Sequence, residues 1–243
     1  MTNFELFSDH MNLLRLCHHP IKPLRIYSLP LVSSRRTKAT LDDEKVLKPI
    51  QSQPISKKFN DYLSLGKPKL SLFVLLTANA GYCIVNTAQH FSYSQFWLGL
   101  SLGTYLCSLS ANTFNQVVEV PYDTQMTRTQ SRPIVKGTIS PGHATAFGVG
   151  LGATGTALLY SFCNLPTAVL GAANIFIYAG AYTSMKRKHW LNTQVGAIVG
   201  AIPPIMGATS TLGAAGLIHP GALSLSAILF FWQFPHFYAL CHG

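Results

Sequence analysis

The chain has 243 residues, of which 48% are hydrophobic and 11% are charged, and its formal net charge is +10. A soluble domain carries roughly 25% charged residues, so this composition argues against a soluble globular protein. The basic excess does not indicate a nucleic-acid partner, because the basic residues flank apolar runs and no zinc-finger, helix-turn-helix or RNA-binding pattern occurs. The five cysteines form no Cys-x-x-Cys pair, so we expect neither a disulfide framework nor a cysteine metal site.

Residues 1–66 differ from the rest of the chain. Four apolar side chains between Phe4 and Leu14 fall on one helical face, and several arginines and serines follow. An amphipathic start rich in Arg and Ser predicts a mitochondrial transit peptide, although two acids in the first ten residues count against it. A disordered cytosolic tail is the alternative. Residues 40–66 are polar and contain prolines, so they are expected to form a linker.

Six apolar segments follow from Lys67 onward, and they predict membrane-spanning helices. Each is close to the ~20 residues that cross a hydrocarbon core, and backbone polar groups must be paired within the segment in lipid. Glycines inside these segments are expected to allow close helix packing. The prediction is an all-α, polytopic transmembrane bundle with spans at 69–88, 94–116, 143–163, 166–185, 193–213 and 221–240.

The distribution of Lys and Arg predicts the orientation of these spans. Basic residues occur before the first span and in the second and fourth connections, whereas the first, third and fifth connections contain none. Because basic connections stay on the inner side of a membrane, all six spans agree on one orientation. In a mitochondrion that side is the matrix side of the inner membrane.

A constellation of polar residues stands at the end of the second apolar segment. Asn115, Glu119 and Asp123 are four residues apart, so they share one helical face, although Pro121 is expected to kink that helix. Glu119 and Asp123 are the two acids of residues 68–243. Mg²⁺ prefers one or two carboxylates together with substrate phosphates and water, so the pattern predicts a Mg²⁺ and diphosphate site. Carboxylates near a membrane are costly and indicate function.

Basic residues in the neighbouring connections offer two interpretations. They can clamp a diphosphate or a carboxylate, for which the Arg fork is suited, or they can follow from membrane topology alone. The two acids could also simply pair with Arg128 or Arg132. Both interpretations remain open from the sequence.

Several motifs resemble one family. They are ANTFNQ at 111–116, VPYD at 120–123, MTRTQSRP at 126–133, NTQVGAIVGAIPP at 192–204 and WQFPHF at 232–237. The array Asn-x-x-x-Glu-x-x-x-Asp followed by Arg-Thr-x-x-Arg-Pro resembles the UbiA-like intramembrane prenyltransferases, and the other stretches are similar to their heme O synthase (protoheme IX farnesyltransferase) branch of the mitochondrial type. The resemblance covers about residues 70–243.

The resemblance implies a nine-helix bundle in the mitochondrial inner membrane, with Mg²⁺ as cofactor and farnesyl diphosphate and heme B as substrates. Transfer of the farnesyl group to a heme vinyl group would give heme O for cytochrome oxidase. Asn115, Glu119 and Asp123 would hold Mg²⁺ and carry catalysis, and His236 would contact heme, although a packing role at the membrane edge is equally open for it. The cations that would bind the diphosphate or the heme propionates are Arg128, Arg132, Lys136, Lys186 and Arg187, with Tyr182 as a further diphosphate contact.

One departure from the family limits this prediction. The family carries a second acidic motif after its sixth helix and three further helices, which would lie beyond Gly243. The domain predicted at 67–243 is therefore expected to be incomplete, as a fragment or a truncated form. The alternatives are an inactive truncated form that binds heme or a partner, and a prenyltransferase that acts on a quinone precursor.

Overall fold

The computed structural model describes residues 55–86, 95–186 and 191–242. The chain divides into two compact units, Met1–Lys57 and Lys58–Gly243. Only the start of one helix is described in the first unit, so the predicted transit peptide and most of the predicted linker lie outside the described residues. The architecture that positions the candidate site belongs to the second unit.

Within the described ranges the chain forms helices and connecting turns and contains no strand, so the all-α prediction is confirmed. The proline at the start of several helices fits the first turn, where a missing N–H costs no hydrogen bond. The elements are α1 (Ile55–Leu65), α2 (Pro68–Val85), α3 (Gln95–Asp123), α4 (Pro141–Phe162), α5 (Leu165–Phe176), a π-helical segment (Ile177–Tyr182), α6 (Thr183–Met185), α7 (Asn192–Leu212), a 3₁₀ segment (Gly213–Ile218) and α8 (Pro220–His242).

Each of the six predicted spans corresponds to helical structure at nearly the predicted position. Three stretches of the described chain are long and apolar enough to cross a membrane, namely Pro68–Val85, Leu165–Met185 and Asn192–Ile218. Membrane crossing by α3, α4 and α8 stays a prediction. The helix that carries the acidic residues is longer than its predicted span, because α3 continues to Asp123.

The bundle is held together by small residues and by a modest apolar core. Leu100, Leu159 and Met206 are almost fully buried in this core, where α3, α4 and α7 meet. A Cβ added to Gly155 of α4 would lie 2.9 Å from the backbone nitrogen of Cys107 in α3. The two helices therefore approach as closely as a glycine allows, which confirms at this position the predicted packing role of the glycines.

Helix α1 occupies a part of the chain for which the sequence predicts a linker. Leu65 is fully buried, and the ring of Tyr62 packs edge-on against Phe147 of α4 at a centroid distance of 5.1 Å. The Gln116 side chain of α3 donates to the backbone oxygens of Ser64 and Leu65, each at 3.0 Å. These tertiary contacts explain the helix, since a polar segment of this length gains little from propensity alone.

The helix that follows α4 changes its winding before it reaches the candidate site. Asn164 caps α5 by accepting a hydrogen bond from the backbone N–H of Thr167 at 3.1 Å. The chain then passes through the π-helical segment, and Thr183 Oγ1 donates to the carbonyl oxygen of Tyr178 at 2.8 Å. The extra residue per turn changes the direction of the side chains that follow, and such π-bulges are frequent at functional sites.

Candidate functional site

The polar face of α3 lies inside the bundle. Asn115 and Asp123 are each 1% exposed and Glu119 is 8% exposed, so all three are withdrawn from solvent. Helix α3 continues unbroken through Pro121 and ends at Asp123, which keeps the three residues on one helical surface. The predicted common face is therefore present.

The turns after α3 bring an arginine back to this face. Thr129 Oγ1 donates to the carbonyl oxygen of Asp123 at 2.9 Å and so fixes the first part of the connection. Arg132 Nη1 donates to Glu119 Oε2 at 3.3 Å and also to Asp123 Oδ2. Of the two partners that the sequence offered for the acids, the structure selects Arg132.

Two lysines complete the arrangement from distant parts of the chain. Lys186, just after α6, donates from Nζ to Glu119 Oε1 at 2.8 Å. Lys67, between α1 and α2, donates from Nζ to Asn115 Oδ1 at 3.0 Å. The Asn115 amide nitrogen donates in turn to Thr183 Oγ1 at 3.2 Å. The site thus joins the α1–α2 connection, α3, and α6 with the residue that follows it.

The electrostatics of the site favour an anionic ligand. Three cationic groups surround two carboxylates, so the described site carries an excess of positive charge. Burial, together with the nearby Arg132 guanidinium, lowers the pKa of Lys67 to about 8. A site that must accommodate surplus cations in a partly buried place is suited to a polyanion such as a diphosphate.

A cavity of about 390 Å³, here called the charged cavity, is bordered by Glu119, Asp123, Arg132 and Lys186, whereas Lys67 and Asn115 are not among its lining residues. Arg128 lies on its wall with an exposed side chain, whereas Lys136 is exposed and is not among the lining residues. Arg187 lies outside the described residues. The lining residues are Val118, Glu119, Pro121, Tyr122, Asp123, Met126, Arg128, Thr129, Arg132, Thr183, Ser184 and Lys186.

A second cavity of about 330 Å³, here called the apolar cavity, lies between α2, α3, α5, α7 and α8. Tyr178 and Tyr182 stack at a centroid distance of 5.3 Å on its wall, next in the chain to Thr183 of the charged cavity. The Tyr178 hydroxyl donates to Asn112 Oδ1 at 3.2 Å. Tyr182, which the sequence predicts as a diphosphate contact, therefore lies on the wall of the apolar cavity. The next residue, Thr183, lines the charged cavity.

His236 lies on α8 one turn beyond Trp232 and is not itself among the residues that line the apolar cavity. It is exposed on α8 and stacks on Trp232, with a centroid distance of 4.9 Å and an interplanar angle of 15°. Trp232 and Gln233 line the apolar cavity.

The oxygen atoms of the site fit a hard divalent cation. Asp123 Oδ1 is buried and makes no hydrogen bond, although an unpaired buried carboxylate oxygen is costly. The described residues hold no group of three His, Cys, Asp or Glu that could bind a metal, so the donor set depends on two carboxylates and the Asn115 amide. That set matches the preference of Mg²⁺ for few carboxylates plus phosphate oxygens and water. Binding would require Arg132 and Lys186 to release at least some carboxylate oxygens.

Two residues of this site have no role in the sequence-based prediction. The sequence predicts Lys67 only as a basic flank of the first span, and it predicts no role for Thr183. Their contacts join residues 48 and 68 positions apart, which no local pattern indicates. The sequence Gly66-Lys67-Pro68 was the available signal for Lys67, because a glycine and a proline mark a break between helices.

Comparison with solved structures supports the fold. A structure of digeranylgeranylglyceryl phosphate synthase in membranes matches with a TM-score of 0.59 and 18% identity, over 73% of this chain and 58% of that one. At this identity the similarity concerns the helical bundle alone.

Comparison with curated proteins identifies closer relatives. Each is a mitochondrial protoheme IX farnesyltransferase. The protein of Yarrowia lipolytica is 47% identical over 75% of this chain and 38% of its own length. That of Saccharomyces cerevisiae is 41% identical over 89% and 46%, and that of Homo sapiens is 45% identical over 74% and 39%. The chain thus spans less than half of the length of these relatives.

The family comparison covers most of the bundle. Residues 74–242, from the first turns of α2 to the last residue of α8, match the model of the UbiA prenyltransferase family. The matched range contains α3 with its polar face and, apart from Leu70 and Phe73, the residues that line the two cavities. On this match, and on the identity to the relatives above, the chain belongs to the UbiA prenyltransferase family.

Proposed function

We propose that the protein containing this chain transfers a farnesyl group from farnesyl diphosphate to a vinyl group of heme B and so forms heme O. The observation that carries the proposal is the pair of adjoining cavities. One is bordered by buried carboxylates and by Arg132 and Lys186, and the other is apolar. A prenyl diphosphate has the same division into a charged head and an apolar chain.

The diphosphate would bind in the charged cavity. Arg132, Lys186 and Arg128 supply donors there, and charge-assisted hydrogen bonds to phosphate are among the strong ones. Asn115, Glu119 and Asp123 would hold Mg²⁺, in keeping with the general use of a divalent metal by the family. When bound, Mg²⁺ would supply further positive charge for the leaving diphosphate.

The prenyl chain would lie in the apolar cavity beside Tyr178 and Tyr182. Cleavage of the carbon–oxygen bond releases diphosphate, and the resulting allylic carbon bonds to the terminal carbon of the heme vinyl group. Water then adds to the inner vinyl carbon and loses one proton, which leaves the hydroxyl group. The cations of the charged cavity stabilise the leaving group, and the apolar walls exclude water from the first step.

The acceptor is proposed from the names of the relatives and from α8. His236 and Trp232 would contact the heme plane, and Lys136 and Arg187 would reach the propionates or the diphosphate. The protein would reside in the mitochondrial inner membrane with the charged cavity on the matrix side. The relatives' names, which say mitochondrial, and the arrangement of the basic connections support this part of the proposal.

Product analysis tests the proposal. The full-length protein in lipid vesicles would receive farnesyl diphosphate, heme B and Mg²⁺, and the products would be separated and weighed by mass spectrometry. We expect heme O. Prenylation of a 4-hydroxybenzoate acceptor instead of heme would favour the quinone-precursor alternative, and heme retention without any prenyl transfer would favour the non-catalytic one.

A further inference from the structure

Lys67 occupies an unusual position for a basic residue at the start of an apolar helix. It precedes Pro68 of α2 and adopts the left-handed backbone conformation, with φ 50° and ψ 65°. Among the residues of the described ranges it is the one non-glycine residue with a positive φ. Side chains with a Cβ rarely take this conformation, so the surrounding contacts must hold the residue there.

Those contacts fix Lys67 against α3. Gln116 secures the end of α1 through its two hydrogen bonds to Ser64 and Leu65. Ser71 Oγ, one turn into α2, donates to the Gly66 carbonyl oxygen at 3.0 Å. The backbone on both sides of Lys67 is thus tied down, and its ammonium group is directed to Asn115.

The partner of this ammonium is the feature that needs an explanation. Arg132 and Lys186 each contact a carboxylate, whereas Lys67 donates to the neutral amide oxygen of Asn115. The ion pairs of the described ranges leave Lys67 without a carboxylate of its own. A partly buried cation that faces a neutral acceptor is incompletely compensated. Lys67 does not line the charged cavity itself, but its partner Asn115 donates to Thr183, which does. An anion bound in that cavity would lie close enough to this chain of contacts to compensate the ammonium group.

We propose that Lys67 is a further diphosphate-binding residue, which exchanges the Asn115 amide oxygen for a phosphate oxygen when the prenyl diphosphate binds. The exchange frees Asn115 Oδ1 as an oxygen ligand at the moment when the substrate arrives. The inference rests on the proposed function for the identity of the substrate.

The test compares matched lysine variants of the full-length protein in lipid nanodiscs. Lys67→Met removes the charge at nearly constant side-chain length, Lys67→Arg keeps the charge, and Lys69→Met removes an exposed charge two residues away. Calorimetry would measure the binding of inorganic pyrophosphate with Mg²⁺ and, separately, of uncharged farnesol. Loss of one charge-assisted hydrogen bond should weaken pyrophosphate binding about tenfold in Lys67→Met. Farnesol binding should not change, Lys67→Arg should recover part of the affinity, and Lys69→Met should bind as the wild type.

The outcomes separate this inference from the proposed function. Wild-type pyrophosphate affinity in Lys67→Met would overturn the role of Lys67 and leave the proposed function standing. Equal losses of pyrophosphate and farnesol binding would overturn it too, because they would indicate a structural role. If the wild-type protein bound neither pyrophosphate nor farnesyl diphosphate, the proposed function itself would fail.

Discussion

Lys186 and Glu119 lie 67 positions apart in the chain, and their side chains meet with a distance of 2.8 Å between Nζ and Oε1. The contact ties the end of α6 to the polar face of α3, and Lys186 remains 45% exposed. Because nearly half of its side chain is exposed, Lys186 can swing its ammonium group away from Glu119 to a phosphate oxygen. The pair therefore links the buried acids to the charged cavity.

Replacing Lys186 should impair prenyl transfer more than it impairs folding. Lys186→Met removes a donor to the leaving diphosphate, and loss of one such donor typically costs about a hundredfold in rate. Steady-state kinetics with farnesyl diphosphate would measure kcat/KM, with Lys58→Met, an exposed change on α1, as the control. Wild-type kinetics in Lys186→Met would exclude Lys186 from diphosphate binding.

Arg132 should contribute to stability as well as to substrate binding. Its guanidinium contacts both Glu119 and Asp123, and Asp123 is 1% exposed. Arg132→Met leaves a buried carboxylate without a partner, which typically costs about 3 kcal/mol. Chemical unfolding in detergent would measure the loss of free energy of unfolding.

The double variant Arg132→Met with Asp123→Asn separates the two contributions. Neutralising the buried carboxylate should recover most of the stability, because no unpaired charge remains. Activity should stay lost, since a diphosphate cation and an oxygen ligand are both gone. A double variant as unstable as Arg132→Met would show that the ion pair is not the source of the stability.

The wall of the apolar cavity can be tested with two glycines of α7. A Cβ at Gly196 would lie 2.9 Å from Cε2 of Tyr182, whereas a Cβ at Gly200 would come no nearer than 3.5 Å to a neighbour, Oε1 of Gln233. Gly196→Ala should push the Tyr182 ring into the cavity and raise the KM for farnesyl diphosphate about tenfold, as displacements of this size can. Gly200→Ala should leave the KM nearly unchanged. Equal effects of the two changes would contradict the proposed place of the prenyl chain.

Sequence patterns predicted the helices of the bundle and the polar face of α3, but they did not predict which cations contact that face. The apolar runs predicted the six helical segments to within a few residues. In an apolar environment the backbone N–H and C=O groups must bond to each other, and within a single segment the helix achieves this. The four-residue spacing of Asn115, Glu119 and Asp123 gave their common face. Helix α1 was wrongly expected to be linker, since its tertiary contacts with Phe147 and Gln116 leave no local signal.

The pairing of charges could not be read from the sequence. Arg128 and Arg132 are equally plausible partners of the two acids by spacing, and only the turns fixed by Thr129 select Arg132. The contact of Lys67 with Asn115 depends on a left-handed residue between two helices. Such contacts arise from the packing of distant segments, which composition and periodicity do not encode.

Removal of the divalent metal should abolish prenyl transfer. It should also abolish the rise in melting temperature that pyrophosphate causes. The unpaired Asp123 Oδ1 and the Asn115 amide oxygen are expected to become ligands of Mg²⁺ when the metal binds together with pyrophosphate. Binding to the folded state raises its stability, by about 2.7 kcal/mol at a hundredfold excess over Kd. Melting curves with pyrophosphate, before and after chelation by EDTA, would measure this shift. A shift that is the same with and without Mg²⁺ would contradict the metal site.

The most direct test of the account is heme O formation by the full-length Asp123→Asn protein. Asp123 is buried on α3, keeps one oxygen unpaired and binds Arg132 with the other, so both the metal and the diphosphate depend on it. The assay would use farnesyl diphosphate, heme B and Mg²⁺, with melting curves to establish that the variant is folded. The account predicts heme O from the wild-type protein and none from the folded variant. Heme O at the wild-type rate from Asp123→Asn would contradict it.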